Sequence, residues 1–351
     1  MRTGSPAPKP SPSRLRRWSY MLSGVLVGAL FLYLTARNVD LDKAAAAIYA
    51  INGWWMVPLA VVYSLTFFVR SLRWQLMFPD DSRPSLRHTI DAFMIGKVSN
   101  NFLPGRLGEL IRAAVIGRIL PKVGLTGSLA TIVLEKFFDL LAVILLLGIA
   151  LLSAPLPPWV SNAGLALIAT ALLILLTLVA AGKVGARVSY ASGNGPDSGV
   201  VDRVKRLTRQ TLQKFSTGLF ALRSLRHLTA LSALTLFLWF WEVIIIYICL
   251  QAFSIPVPFT AAIVALVFLC LGTMLPTAPG FIGTYQLFIV AALQLYAVPE
   301  TSAFALSVFL NLFMIVISSI LGAVAIVLDG GLFNLKQVLS SLSKSDSINR
   351  P

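Results

Sequence analysis

Charged side chains are scarce in this sequence. Asp, Glu, Lys and Arg make up 12% of its 351 residues, whereas hydrophobic residues make up 57%. This composition excludes an ordinary soluble domain and predicts an all-α fold, that of a polytopic helical membrane protein. No polar stretch is long enough to fold as a separate catalytic domain.

Cysteine and histidine are equally rare, with two of each in the chain. Cys249 and Cys270 both lie in apolar stretches, which argues against a disulfide framework or a metal site. His88 and His227 lie at the edges of apolar spans, far apart in sequence, and do not form a metal-binding pattern. The nucleotide-binding pattern Gly-x-x-x-x-Gly-Lys-Ser/Thr is absent. We therefore expect no metal and no cofactor, and any transport would be passive or driven by an ion gradient.

Acidic residues number 14 against 29 basic ones, which gives a net charge of +15. The basic residues fall between apolar stretches, as is typical of cytoplasmic loops beside anionic lipid, so nucleic acid is not the expected partner. The longest basic loop, residues 183–226, is predicted to contact an anionic lipid surface. Its residues 200–222 have the spacing of an amphipathic helix, which either holds the loop on the membrane or senses lipid.

Six apolar stretches are long enough to cross a membrane. They are residues 19–36, 54–77, 125–152, 160–181, 228–252 and 301–328. The predicted organisation is a disordered basic tail at 1–17, a transmembrane domain at 18–330 with halves at about 18–152 and 160–328, and a C-terminal tail at 331–351. The alternation of basic and uncharged gaps predicts cytoplasmic N- and C-termini in a plasma membrane, which for so compact a chain would be a bacterial inner membrane.

Two further apolar stretches contain Pro-Gly breaks. PGRLGE (104–109) and PGFIGT (279–284) share the pattern Pro-Gly-x-apolar-Gly-x. Lipid cannot satisfy the backbone groups that such breaks open, so residues 96–118 and 259–297 are predicted to form re-entrant broken-helix hairpins. Each hairpin follows two spans and precedes a third. Three crossings per half make the second half enter from the opposite side, which predicts an inverted pseudo-two-fold repeat.

The first break carries an unusual number of polar residues for a membrane segment. The residues around it are Lys97, Asn100, Asn101, Arg106, Glu109 and Arg112. A broken helix exposes N–H groups and a positive dipole end, both of which attract phosphate. Arg106 and Arg112 add forked donors suited to the same group. The pattern therefore predicts a binding site for a phosphate-bearing lipid headgroup.

Acidic residues near this break have two open interpretations. Glu109, Glu135 and Asp139 could hold the arginines when no lipid is bound, or meet a cationic headgroup. Alternatively, these charges pair with one another and only assemble the bundle. For Glu135 and Asp139 the sequence does not choose between the two, whereas for Glu109, beside the break, it favours a functional role.

Three more charged residues lie within or beside predicted spans. Arg70 and Arg73, near the end of the second span, are expected to snorkel to the cytoplasmic surface rather than line a cavity. Glu242 lies in the middle of the fifth span, where it either serves a function or bonds a neighbouring helix.

Three runs, in the order NNFLPGRLGELIRAAVIGR, TIVLEKFFDLLAV and LPTAPGFIGTYQLFIVAAL, resemble the flippase-like transmembrane region of lysylphosphatidylglycerol synthases. The resemblance covers roughly residues 18–330. It implies a pseudosymmetric bundle with paired re-entrant helices that moves a phospholipid or lipid-linked headgroup between leaflets. It also implies cavity residues, which are Arg106, Glu109, Arg112, Glu135, Asp139, Pro279, Gly280 and Gly283.

The full set of candidates combines this resemblance with the polar pattern. The predicted substrate-binding residues are Asn100, Asn101, Arg106, Glu109, Arg112, Glu135, Asp139 and Gln286. The predicted backbone breaks are Pro104, Gly105, Gly108, Pro279, Gly280 and Gly283.

Two departures from the family pattern matter. The soluble aminoacyl-transferase domain of the full synthases is absent, so no aminoacyl transfer is implied. Members often carry an acidic residue where Gln286 stands, which favours a neutral or anionic lipid over a cationic aminoacyl headgroup.

Three functions stay open on the sequence alone. The first is a lipid translocator for lipids with phosphate headgroups. The second is a membrane-embedded transferase acting on a polyprenyl-phosphate or glycolipid, so enzyme activity is undecided. The third is a partner or scaffold for a lipid-synthesis enzyme, with residues 200–222 as its docking face; a homo-oligomer is a further possibility.

Overall fold

The computed structural model describes residues 14–103, 107–190, 225–275 and 278–328. These residues form helices joined by short turns, with no β-strand among them. The chain is an all-α, polytopic helical membrane protein, which confirms the predicted fold class. The predicted amphipathic helix at 200–222, the tail at 331–351 and most of the tail at 1–17 lie outside the described residues.

Eleven helices make up the described part of the chain. In order they are α1 (Arg14–Ala36), α2 (Leu41–Tyr49), α3 (Met56–Gln75), α4 (Leu86–Phe102), α5 (Gly108–Ile119), α6 (Gly124–Ser153), α7 (Pro158–Tyr190), α8 (Leu225–Ala252), α9 (Phe259–Thr273), α10 (Thr284–Gln294) and α11 (Glu300–Leu328). Short 3-10 turns occur at Gly53–Trp55, Asp80–Ser82 and Pro279–Phe281.

Four described segments are long and apolar enough to cross a membrane. They are Gly53–Gln75, Pro158–Thr177, Leu225–Ala252 and Glu300–Val327. A fifth would be the pair α1 and α2, which bend by 91° at their junction. The predicted count of six spans is therefore not confirmed and stays a prediction. The predicted third span nevertheless forms one continuous helix of 30 residues, α6.

Local sequence signals set several helix starts. The Asp40 side chain accepts a hydrogen bond from the N–H of Lys43 at 3.1 Å and so caps α2. The Ser85 side chain likewise accepts from the N–H of His88 and caps α4. Both side chains satisfy donors that the first turn of a helix leaves open.

Short helices surround both Pro-Gly breaks. α5, α9 and α10 contain 12, 15 and 11 residues. At a rise of about 1.5 Å per residue they span about 16 to 23 Å, less than the roughly 30 Å of a bilayer's hydrocarbon core. α4 packs on α5, and α9 packs on α10, so each break joins two helices that lie against each other.

The packing of the first half recurs in the second. α4 contacts α3 and α5, as α9 contacts α8 and α10. α6 then packs on α5 and α9, as α11 packs on α10 and α4. α3 and α8 pack on each other, where the two halves meet. The helix contacts therefore follow the same order as the sequence repeat.

Candidate functional site

A cavity of about 260 Å³ lies where α3, α4, α5, α6 and α8 meet. The second break adds Phe281 to its wall, and α11 adds Met314. Charged side chains dominate the remaining lining, although they are rare in the chain as a whole. They are Arg70, Lys97, Glu109, Arg112, Glu135, Lys136 and Glu242.

Arg112 is the centre of the ion pairs along this wall. Its two terminal nitrogens bind both oxygens of Glu135 at 3.0 Å each. One of them also lies 2.6 Å from the Glu109 carboxylate. The guanidinium carbon lies over the rings of Trp74 and Phe93, at 4.7 and 5.1 Å from their centroids. Two carboxylates therefore engage the terminal nitrogens that the sequence analysis assigned to phosphate, and two aromatic rings lie against the guanidinium.

Arg73 continues the same ion-pair chain deeper in the protein. It donates to the Asp139 carboxylate at 2.7 Å and to the Thr235 hydroxyl at 3.0 Å. A Glu135 oxygen lies 3.7 Å from its other terminal nitrogen. Trp239 donates its indole N–H to Asp139 at 3.2 Å.

The snorkelling prediction for Arg73 is wrong, because its side chain is 0% exposed. Its helix, α3, packs on α6 and α8, which cover the position and supply Asp139 and Thr235. A buried guanidinium is tolerable when carboxylates and hydrogen-bond acceptors surround it in this way.

Arg70 forms the second link between α3 and α8. It donates to the Glu242 carboxylate at 2.6 Å, and both side chains line the cavity. The snorkelling prediction is therefore also wrong for Arg70. For Glu242 the two interpretations of the sequence coincide, since it bonds a neighbouring helix and faces the cavity.

Lys136 and Glu109 form the more accessible end of the charged wall. The Lys136 ammonium lies 3.4 Å from Glu109 and 4.0 Å from Glu135. Their side chains are 47% and 26% exposed, whereas that of Glu135 is 3% exposed. The ion pairs thus run without interruption from an accessible lysine to a fully buried arginine.

Glycine allows α4 and α5 to touch at the first break. A Cβ on Gly108 would lie 1.9 Å from the carbonyl oxygen of Gly96. Asn100 closes the same contact, because its side-chain oxygen accepts from the N–H of Gly108 at 2.8 Å. Asn101 points elsewhere and donates to Ser318 at 2.9 Å, which ties α4 to α11.

The second break is closed by amides rather than charges. Gly280 and Gly283 have φ angles of +66° and +86°, which favour glycine. Asn311 donates to the carbonyl of Gly280 at 3.0 Å, and the Gln286 side-chain oxygen accepts from the N–H of Gly283 at 2.7 Å. A Cβ on Gly283 would lie 1.9 Å from the carbonyl oxygen of Gly28 in α1.

The structure brings together half of the predicted substrate-binding residues. Asn100, Glu109, Arg112 and Glu135 line the cavity. Asp139 lies one ion pair behind them, whereas Asn101 and Gln286 bond neighbouring groups without lining the cavity. The predicted residues Pro104, Gly105 and Arg106 lie outside the described residues. Pro279 begins the 3-10 turn of the second break.

Five charged residues in or beside the cavity were not among the predicted substrate-binding residues. They are Arg70, Arg73, Lys97, Lys136 and Glu242. Opposite charges on different apolar spans were the available signal, because each would need a partner inside the bundle. Among the described residues, no group of three or more His, Cys, Asp or Glu side chains could hold a metal ion.

Comparison with known proteins places these residues in a family context. Residues 21–322 match the sequence model of a family described as the lysylphosphatidylglycerol synthase TM region. The chain is also similar to a UPF0104 membrane protein of Methanothermobacter thermautotrophicus, with 23% identity over 302 residues. That similarity covers 82% of this chain and 85% of the relative. The matched region includes every residue that lines the cavity.

Proposed function

This chain belongs to the lysylphosphatidylglycerol synthase TM region family, and from that premise we propose that it is a lipid translocator. It moves a phospholipid or a lipid-linked headgroup between the two leaflets. The observation that carries this proposal is the charged cavity inside an otherwise apolar bundle. Charges are costly within a bilayer unless they line a protein interior or a wet cavity, so their concentration here indicates a polar substrate.

The outer surface suits a substrate that is only partly polar. α7 presents large apolar side chains to its surroundings, among them Leu165, Leu173 and Leu176. A lipid's acyl chains can therefore remain in the bilayer while its headgroup passes through the cavity. The polar headgroup thus meets the polar cavity, and the apolar chains meet the apolar surface and the bilayer.

The proposed topology has six spans and two re-entrant hairpins. The short α5, α9 and α10 support hairpins that enter and leave on the same side. The repeated packing order supports an inverted pseudo-two-fold repeat. Both termini lie in the cytoplasm of a plasma membrane in this proposal, because the basic gaps then face the anionic leaflet.

The alternative function, a membrane-embedded transferase, needs a carboxylate that is available as a base. Each of the three cavity carboxylates, Glu109, Glu135 and Glu242, lies within 3.0 Å of an arginine nitrogen in the described part of the chain. Each of these carboxylates is already engaged by an arginine. Their engagement favours translocation over transfer chemistry.

Leaflet-to-leaflet movement of fluorescent phospholipids in liposomes tests the proposal. The cavity variant combines Arg70→Met with Glu242→Gln, which removes one ion pair from the wall without changing the net charge. The matched control combines Lys43→Met with Asp40→Asn, which removes an exposed ion pair at the start of α2. We expect the wild type and the control to accelerate movement, and the cavity variant to lose at least tenfold.

Two results would contradict the proposal. If the wild type moves no lipid of any headgroup class, the translocator proposal is wrong and the transferase alternative is favoured. If the cavity variant moves lipid as fast as the control, the charged wall only assembles the bundle.

A further inference from the structure

The charges around the cavity do not cancel. Five cationic side chains take part, namely Arg70, Arg73, Lys97, Arg112 and Lys136, against four carboxylates, namely Glu109, Glu135, Asp139 and Glu242. Every carboxylate in this set forms a salt bridge with an arginine or with Lys136. Among the described residues, Lys97 alone of the five has no carboxylate within ion-pairing distance.

Lys97 lies on the cavity wall in the middle of α4. It follows Gly96, where α4 and α5 touch, and lies one turn before Asn100. Glu242 and Glu109 attract its ammonium from beyond ion-pairing distance, and Arg70 and Lys136 repel it. The side chain thus faces a cavity whose other charges are already committed to one another.

An unpaired ammonium within a membrane bundle is costly unless something compensates it. One additional negative charge would neutralise the set. A phosphodiester carries one such charge, and lysine binds phosphate oxygens well as a compact point charge. The arginines are poorer candidates because each of them already donates to a carboxylate.

We propose that Lys97 is the binding residue of this cavity for a phosphate oxyanion. The inference rests on the proposed function, since it names the headgroup chemistry that the cavity recognises. It differs from the sequence-based expectation, in which Arg106 and Arg112 held the phosphate. The oxyanion comes either from a phospholipid headgroup or from free phosphate, and the two sources can be separated experimentally.

Ligand-dependent thermal stabilisation of the purified full-length protein in detergent tests the site. The probes are phosphatidylglycerol, inorganic phosphate, and diacylglycerol, which has no phosphate. The variants are Lys97→Met, Lys97→Arg and the control Lys122→Met, which changes an exposed lysine between α5 and α6. We expect phosphatidylglycerol to raise the melting temperature of the wild type, Lys97→Arg and Lys122→Met, with at least tenfold weaker apparent affinity in Lys97→Met.

The unliganded proteins provide a second measurement. Removing an unpaired cation should leave the melting temperature of Lys97→Met equal to or above that of the wild type. A clear decrease would mean that Lys97 makes a structural contact, and would overturn the proposal. Undiminished binding of phosphatidylglycerol to Lys97→Met, or equal stabilisation by diacylglycerol, would overturn it as well.

The remaining arms identify the source and separate the two proposals. Stabilisation through Lys97 by inorganic phosphate alone would support the oxyanion site and name free phosphate as its ligand. Binding through Lys97 without lipid movement in liposomes would refute the translocator and leave the site standing. Lipid movement with binding unaffected by Lys97→Met would refute the site and leave the translocator standing.

Discussion

The two Pro-Gly breaks share a sequence pattern but differ in what surrounds them. Beside the first break, Glu109 and Arg112 begin a chain of ion pairs along a cavity. At the second break, Gln286 and Asn311 hold the backbone of Gly280 and Gly283 with neutral amide groups. The first break therefore places charged side chains at a cavity wall, whereas these polar side chains of the second break bond its backbone.

The same backbone feature, a Pro-Gly break, can therefore have two different roles. A break opens N–H and C=O groups that lipid cannot satisfy, so each break needs polar partners. At the second break, the amides of Gln286 and Asn311 bond the break itself and do not line the cavity. Where charged residues lie next to the break, they can also shape a site. The halves of the repeat are thus alike in packing order and unlike in chemistry.

The largest expected effect comes from removing charge beside the first break. Glu135→Gln leaves the buried Arg112 and Arg73 without the carboxylate they share. Breaking a buried pair in this way costs about 3–5 kcal/mol of unfolding free energy. Denaturant unfolding in detergent measures it. Glu300→Gln, in the first turn of α11, is the control, with an expected loss below about 1 kcal/mol. Equal losses of unfolding free energy in the two variants would show that the ion-pair chain does not stabilise the fold more than a surface charge does.

A second change tests whether the close backbone contact at the second break contributes to stability. Gly283→Ala places a Cβ 1.9 Å from the Gly28 carbonyl oxygen at a φ of +86°. Strain and overpacking together should cost about 2–4 kcal/mol. Gly148→Ala is the control, because no atom lies within 4 Å of its Cβ position, and it should be neutral or slightly stabilising in α6. A neutral Gly283→Ala in the same unfolding measurement would contradict the close contact.

A third change separates stability from transport at the second break. Asn311→Ala leaves the Gly280 carbonyl without its 3.0 Å donor and should cost about 1–3 kcal/mol. We expect lipid movement per folded molecule to stay within twofold of the wild type, because Asn311 does not line the cavity. Asn162→Ala, exposed on α7, controls for the chemistry of the substitution. A tenfold loss of transport in Asn311→Ala would show that the second break also takes part in transport, which would contradict the proposed difference between the breaks.

The smallest effect on stability is expected where the cavity loses a complete pair. Arg70→Met combined with Glu242→Gln removes both charges, so neither is left buried alone. The unfolding free energy should stay within about 1 kcal/mol of the wild type, whereas Glu242→Gln alone should lose more. The same unfolding titration compares the two. A larger loss in the double variant than in the single one would show that these residues support the fold rather than the cavity.

Much of the fold could be predicted because composition and breakers act locally. Apolar stretches predicted the helices, and the glycine pattern located both breaks. The number of spans could not be settled in this way. α1 and α2 bend by 91° at their junction, and α6 carries Glu135, Lys136 and Asp139 near its middle. Length and hydropathy do not determine how such helices sit in a bilayer.

The site was predictable only where its partners are close in sequence. Glu109 and Arg112 lie three residues apart on one helix, and both were identified. Arg70 and Glu242 are 172 residues apart, and their pairing depends on how α3 packs on α8. The snorkelling prediction failed for this reason, since it assumed that the end of α3 faces lipid. The substrate-binding prediction for Gln286 came from the family resemblance. Its bond to the Gly283 N–H depends on the three-dimensional turn and could not be predicted from the sequence.

The contact between Gly28 and Gly283 also limits how this sequence can change over generations. The absent side chain of Gly283 makes room for the backbone of Gly28, although 254 residues lie between them. The absent side chain of Gly28 in turn makes room for Ala278 and the carbonyl of Ile282, which belong to the second break. A related chain that carries a side chain at either position must have moved α1 away from the second break. These two glycines should therefore be retained or lost together. A distant relative that has both should pack α1 against the second break in the same way.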